Sequence, residues 1–283
     1  MNKNKLGILI IHGMGKHPEN FHAELSRRIL QNLGAKLGDK VCIRGCWWDG
    51  VTENMQEYVY QKLTSKYDVG WKGLHQFAID ALGDPVSYLS SYQSSTPGNA
   101  NPNSYYQKIH DRVFESLDLL QSDLGDEADS SPLMILAHSL GSVIITNYRW
   151  DIEYHNPRTT KPPTRPFEKM ENLVSLITYG SNIPLFIARD PATQDIRSIQ
   201  FPPNPENLDI ANWDNVFSPN DVLGWPLADL WKPESAAPKK KINDIMMSVG
   251  SIPASWTPLS HHLYADDKTF LHLIETRIRA LLS

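Results

Sequence analysis

Leu133-Met134-Ile135-Leu136-Ala137-His138-Ser139-Leu140-Gly141 decides the fold of this chain. A short apolar run stops at a small residue, a serine sits at the corner, and Ser142 to Tyr154 reads as a helix. A serine between strand and helix projects its hydroxyl above the sheet, where it is placed as a nucleophile. Such a turn crowds the backbone two residues to either side, so Ala137 and Gly141 have to be small. Taken alone, the pentapeptide also fits an ordinary strand-turn-helix with a serine at the helix start.

The elements around it set the fold class. Leu6–Ile11 reads as a buried strand, and Pro18 opens a helix with Phe21, Leu25, Ile29 and Leu33 on one face, closed by Gly34. Val41–Trp48, Leu133–Ala137, Asn172–Tyr179, Leu208–Phe217 and a weaker Ile242–Val249 are further strands. Tyr105 to Leu124 is an amphipathic helix with Tyr105, Ile109, Val113, Leu117 and Leu120 on one face. A last helix near Asp266 carries Phe270, Ile274, Ile278 and Leu281. Strands alternating with helices predict an α/β fold: a mostly parallel sheet of about six strands with helices on both faces. All 283 residues are read as a single domain. The aromatic-rich stretch 50–103, with Tyr58, Tyr60, Tyr67, Trp71, Phe77, Tyr88 and Tyr92, breaks the alternation as an insertion. A lid and simple packing on the sheet are equal readings of it.

Composition narrows the partners. A net charge of −5 gives no reason to expect nucleic acid, and Lys239-Lys240-Lys241 beside Pro238 reads as a solvated loop. No apolar run approaches the roughly 20 residues of a membrane span, and no signal peptide is legible, so cytoplasmic residence is the expectation. On one strand, Cys42 and Cys46 would stand about 13 Å apart. A disulfide needs Cα atoms within about 7 Å, so two free thiols are expected.

A serine nucleophile requires a base, an acid that orients the base, and donors for the oxyanion. The donors are sought in His12-Gly13-Met14-Gly15, after the first strand. A P-loop ending at Gly15-Lys16 would need glycine where Ile10 stands and Ser or Thr where His17 stands. A dinucleotide loop from Gly13 would need glycine or alanine where Pro18 stands. The N–H groups of Met14 and Leu140 are therefore the expected oxyanion hole, with His12 a structural residue bracing the loop. No zinc or calcium motif is present, so neither metal nor other cofactor is expected.

His-Gly-Met-Gly after one strand and Ala-His-Ser-Leu-Gly after a later one resemble the α/β-hydrolase superfamily, its lipase and esterase branch most closely. Tyr179-Gly180-Ser181-Asn182-Ile183-Pro184 resembles the Gly-Ser-Pro segment after the next strand of lipases, with two residues inserted. The strand count resembles compact lipases that lack the first two strands of the full fold. The resemblance implies the chain order Ser, acid, His, and thus Ser139, then Asp221 after the fifth strand, then His261 in a His-x-x-Tyr ending at Tyr264. Asp214, inside a strand, is the competing acid, and His262 the competing base. His110, His155 and His272 are read as ordinary surface residues, and His138 as packing beside the serine. The resemblance implies a serine esterase or lipase acting through an acyl-enzyme on a small ester or lipid. Gly13 and Trp225 would contact substrate, and the segment of Trp225 and Trp231 would form a lid or acyl pocket. Serine at 139 is not the carboxylate nucleophile of haloalkane dehalogenases and epoxide hydrolases. An acyltransferase or thioesterase with the same triad, and a non-catalytic binding protein on the same fold, are the alternatives.

Overall fold

In the computed structural model, which describes residues 5–64, 83–88, 104–154, 157–187, 199–231, 239–250 and 261–283, six parallel strands form one sheet. They are β1 (Leu6–Ile11), β2 (Val41–Cys46), β3 (Leu133–His138), β4 (Leu173–Tyr179), β5 (Asn212–Phe217) and β6 (Ile242–Met246), in the order β2-β1-β3-β4-β5-β6. The principal described helices are α1 (Ala23–Leu33), α2 (Glu53–Thr64), α3 (Tyr105–Leu124), α4 (Leu140–Glu153), the short α5 (Ile183–Ile187) and α6 (Lys268–Leu282).

Side-chain alternation along each strand explains the two layers. Leu6, Ile8 and Ile10 of β1, with Met134 and Leu136 of β3, face α1 and α6 and pack on Leu25, Ile29, Phe270, Ile274 and Ile278. Leu9 and Ile11, with Leu133, Ile135 and Ala137, face α3 and α4 and pack on Val113, Leu117, Ile144 and Tyr148. Strands buried on both faces read as continuous apolar runs, which is why β1 and β3 are so plain in the sequence.

β5 is different, since Asn-Trp-Asp-Asn-Val-Phe carries polar residues into the interior. Each needs a partner when buried. Asp214 receives two bonds from Arg277 of α6, at 2.7 and 2.9 Å, and one from Asn243 of β6. Asn215 accepts from Thr178 and donates to Asp244 and to the Trp225 carbonyl. These bonds join neighbouring strands and fasten β5 to its covering helix.

Element ends differ from the sequence reading for local reasons. β2 stops at Cys46, because the Trp48 N–H turns inward to His12 Nε2. β5 starts only at Asn212, because Asn204 caps a 3-10 turn over Pro205–Asn207. β6 ends at Met246. The residues after Pro18 form turns, and α1 begins at Ala23. Asp267, not Asp266, caps α6 by accepting from the N–H groups of Thr269 and Phe270. Both cysteines are free, and burial pushes the Cys46 thiol up to about 12. No described helix is long and apolar enough to cross a membrane.

Candidate functional site

From β1 the chain steps to β2 on one side and, after α3, to β3 on the other. In open parallel sheets such a switch leaves a crevice beyond the carboxyl ends of the strands. Gly13, Met14, Ser139, Leu140, Asp221, Trp225 and His261 lie in the segments that follow β1, β3, β5 and β6.

Ser139 follows β3 with φ 49° and ψ −122°, a backbone conformation rarely adopted by a residue with a side chain. Its N–H donates to the Tyr179 carbonyl at 3.0 Å. Ser142 Oγ donates to the Ser139 carbonyl and shares a 2.8 Å hydrogen bond with Ser181 Oγ, which ties the corner to the segment after β4. A Cβ on Gly141 would stand 2.6 Å from the His12 carbonyl oxygen, and one on Gly13 2.6 Å from Ser139 Cβ. The two glycines let the loop after β1 lie directly against the serine.

His261 Nε2 lies 2.7 Å from Ser139 Oγ. Its Nδ1 lies 3.0 and 2.9 Å from the two carboxylate oxygens of Asp221. The carboxylate only accepts, so Nδ1 carries the proton and Nε2 is left to accept from the serine hydroxyl. Asp221 also accepts from Tyr264 Oη at 2.8 Å and from the Leu223 N–H at 2.9 Å. Tyr264 Oη in turn accepts from the Ser218 N–H at 2.9 Å. Burial opposes the charge on Asp221, but the hydrogen bonds from His261, Tyr264 and Leu223 outweigh it, and the carboxyl sits below its ordinary range. Burial beside that carboxylate pushes the Tyr264 phenol upward and keeps it a donor.

The structure thus brings Ser139, His261 and Asp221 together. It places Asp214 at the opposite strand face, engaged with Arg277, and leaves His262 exposed beside His261. His138 Nε2 donates to the His261 carbonyl at 2.7 Å, and its ring stacks on Tyr179 with centroids 4.9 Å apart. Burial, followed by the neighbouring His261, depresses its pKa strongly, so it stays neutral.

The loop after β1 is braced as the sequence suggests. His12 Nδ1 donates to the Gly13 carbonyl at 2.8 Å, while Nε2 accepts from the Trp48 N–H at 3.1 Å and the ring stacks on Trp48. Burial holds its pKa well below the ordinary histidine value. Met14 is buried, and Leu140 is the first residue of α4, whose N–H has no acceptor within the helix.

Trp225 is tied through its backbone, its N–H donating to the Ser181 carbonyl at 3.0 Å, but its indole is exposed. Trp231 packs edge-on against Trp213, with centroids 4.6 Å apart. Of the 50–103 insertion, only 50–64 and 83–88 are described, and Tyr67, Trp71, Phe77 and Tyr92 lie outside the described residues.

One expectation is overturned. His110 is fully buried, with Nε2 2.9 Å from Tyr88 Oη and Nδ1 3.4 Å from Asp151. The turn at 83–88 covers a second side of α3, so its buried face is wider than the stripe facing the sheet. His272 is exposed as expected, and His155 lies outside the described residues.

Sequence reasoning missed Gly180 and Gly224 as parts of the site. At φ 55°, a Cβ on Gly180 would stand 3.2 Å from both His261 Cε1 and Asp221 Oδ2. A Cβ on Gly224 would stand 2.5 Å from Asp221 Oδ2. Only their nearness in the chain to Ser181 and Asp221 hinted at this. No family model and no curated protein matches the chain.

Proposed function

We propose that this protein is a serine hydrolase of the α/β-hydrolase type that cleaves carboxylic esters through an acyl-enzyme. One observation carries the reading: the continuous chain of hydrogen bonds from Ser139 Oγ through His261 to Asp221, with links of 2.7 Å and 2.9–3.0 Å. A serine hydroxyl bonded to the bare nitrogen of an imidazole, itself oriented by a buried carboxylate, is the arrangement that nucleophilic acyl transfer requires.

In this reading His261 Nε2 takes the proton as Ser139 Oγ attacks the ester carbonyl. The carbonyl electron pair moves onto oxygen, and the N–H groups of Met14 and Leu140 hold that oxyanion. Asp221 stabilises the imidazolium that forms. The oxyanion collapses, the C–O bond to the alcohol breaks, and His261 returns its proton to the departing oxygen. Water, deprotonated by His261, then attacks the acyl-enzyme and releases the acid and the free serine.

The test pairs a fluorophosphonate label with short p-nitrophenyl esters. The expected outcome is covalent modification at Ser139 and loss of hydrolysis in Ser139→Ala by several orders of magnitude. Full activity in Ser139→Ala would sink the proposal. Added alcohols and thiols report whether water is the preferred acceptor, and a dominant ester or thioester product would shift the reading to acyl transfer.

A further inference from the structure

The loop that flanks Ser139 is held from outside the sheet. Asp84, 1 % exposed, accepts from the Gly15 N–H through Oδ2 at 2.9 Å and from Thr52 Oγ1 through Oδ1 at 2.8 Å. Gly15 has φ 91°, and a Cβ there would meet nothing within 4 Å, so glycine is required for its backbone conformation and not for space. That turn sends the Gly15 N–H away to Asp84, one residue beyond the N–H assigned to the oxyanion.

Asp84 itself rests on a rigid base. It lies in the helical turn at 83–88, and Tyr88, four residues on, shares its face. Tyr88 is fully buried, with its ring stacked on Tyr106 at 4.7 Å and its hydroxyl 2.9 Å from His110 Nε2 and 3.2 Å from Asn147 Nδ2. α3 and α4 therefore fix the turn, the turn fixes Asp84, and Asp84 fixes the Gly13–Gly15 loop. Beyond Asp84, Asp49 holds the loop by accepting from the His17 N–H at 2.8 Å.

We propose that Asp84 is a positioning residue for the oxyanion-binding loop, and that the 83–88 part of the insertion acts as its buttress. The inference rests on the reading of Ser139 as nucleophile and Met14 N–H as oxyanion donor. Asp84 does not touch the reacting atoms. A buried carboxylate near a developing oxyanion would oppose it, so its contribution lies in where it holds the Gly15 amide. Loss of that anchor lets the Met14 N–H drift, and a misplacement of about 1 Å costs on the order of 100-fold in rate.

The experiment compares wild type, Asp84→Ala, Asp84→Asn and Thr52→Val on p-nitrophenyl butyrate, with active sites counted by fluorophosphonate labelling. Phenylboronic acid, which forms a tetrahedral anion on serine, reports the oxyanion site. In Asp84→Ala, kcat falls about tenfold to 100-fold and the boronate Ki rises in step, while KM moves less than about twofold. Asp84→Asn recovers most of the loss, because its amide oxygen still accepts from Gly15. Unchanged kcat and Ki in Asp84→Ala, or a fall in kcat without a rise in Ki, overturns the proposal. If Asp84→Ala does not fold, Thr52→Val carries the comparison, and an unchanged ratio of Ki to KM there overturns it. Absence of any label on wild-type Ser139 defeats the hydrolase reading itself, an outcome separate from either of these.

Discussion

At φ 49°, Ser139 is held in a conformation that its own side chain disfavours, and the surrounding bonds keep it there. The Tyr179 carbonyl, Ser142 and Ser181 supply that restraint on one side, and Gly141 and Gly13 admit the β1 loop on the other. Gly141→Ala is expected to destabilise the fold by about 1–3 kcal/mol, because the new methyl would stand 2.6 and 3.0 Å from the backbone oxygens of His12 and Ile11, besides 3.2 Å from Ile11 Cγ1, and backbone cannot swing aside. Urea titration checks this, and an unchanged midpoint would remove the steric argument. Asp221→Asn tests the orientation of His261, the proposed base. An amide facing Nδ1 favours the tautomer with its proton on Nε2, so ester hydrolysis should fall by about 10³–10⁴ in kcat with the protein still folded. Asp214→Asn serves as the contrast, and once folded it should retain hydrolysis, since its carboxylate faces Arg277 on the helix side.

Among elements, α6 and β5 depend on one another. Arg277 forks onto a fully buried Asp214, and removing one partner strands the other. Arg277→Ala should cost about 2–4 kcal/mol while leaving fluorophosphonate labelling of Ser139 intact in the folded fraction. Ile274→Ala, from the same helix, should cost about 2–5 kcal/mol by opening a cavity against the sheet. Chemical denaturation reads both. A loss below 0.5 kcal/mol for Arg277→Ala, about what a surface substitution costs, would show that the pair is merely superficial.

For the molecule as a whole, buried neutral histidines set the response to acid. Burial lowers the pKa values of His12 and His138 well below 6.5 in the folded chain, whereas the unfolded chain takes up protons near that value. The unfolded state then binds more protons below about pH 6.5, so stability falls as pH drops from there toward the depressed folded values. Asp221 acts in the same direction lower down, since its carboxyl titrates below its ordinary value in the folded state. The expected result is a melting temperature that declines between pH 7 and pH 5, with a shallower decline in His138→Gln. A flat profile over that range would contradict the burial of both imidazoles as neutral groups.

The same three scales separate what was legible in the chain. Apolar runs that fill both faces of a parallel sheet name β1 and β3 directly, and the spacing of Leu25, Ile29 and Leu33 names α1, because local periodicity and burial coincide there. β5 and β6 are shorter than the sequence pattern suggests, β5 because a capped 3-10 turn over Pro205–Asn207 precedes it. The serine corner and the glycine loop could be read because crowding at a tight turn restricts adjacent residues. His262 competes with His261 in the sequence because the two adjoin, and only the fold brings His261 to Ser139. His110 departs from the sequence reading because a second covering element, the helical turn at 83–88, buries a helix face that periodicity alone leaves to solvent. Sequence by itself determined the α/β order and the residue types at the serine corner and the glycine loop, which depend on backbone sterics and apolar patterning over a few residues. Tertiary structure alone decided which histidine meets Ser139, which aspartate meets that histidine, and that Asp84 holds the loop beside them. Those contacts span 32 to 122 residues and exist only once the strands are in register.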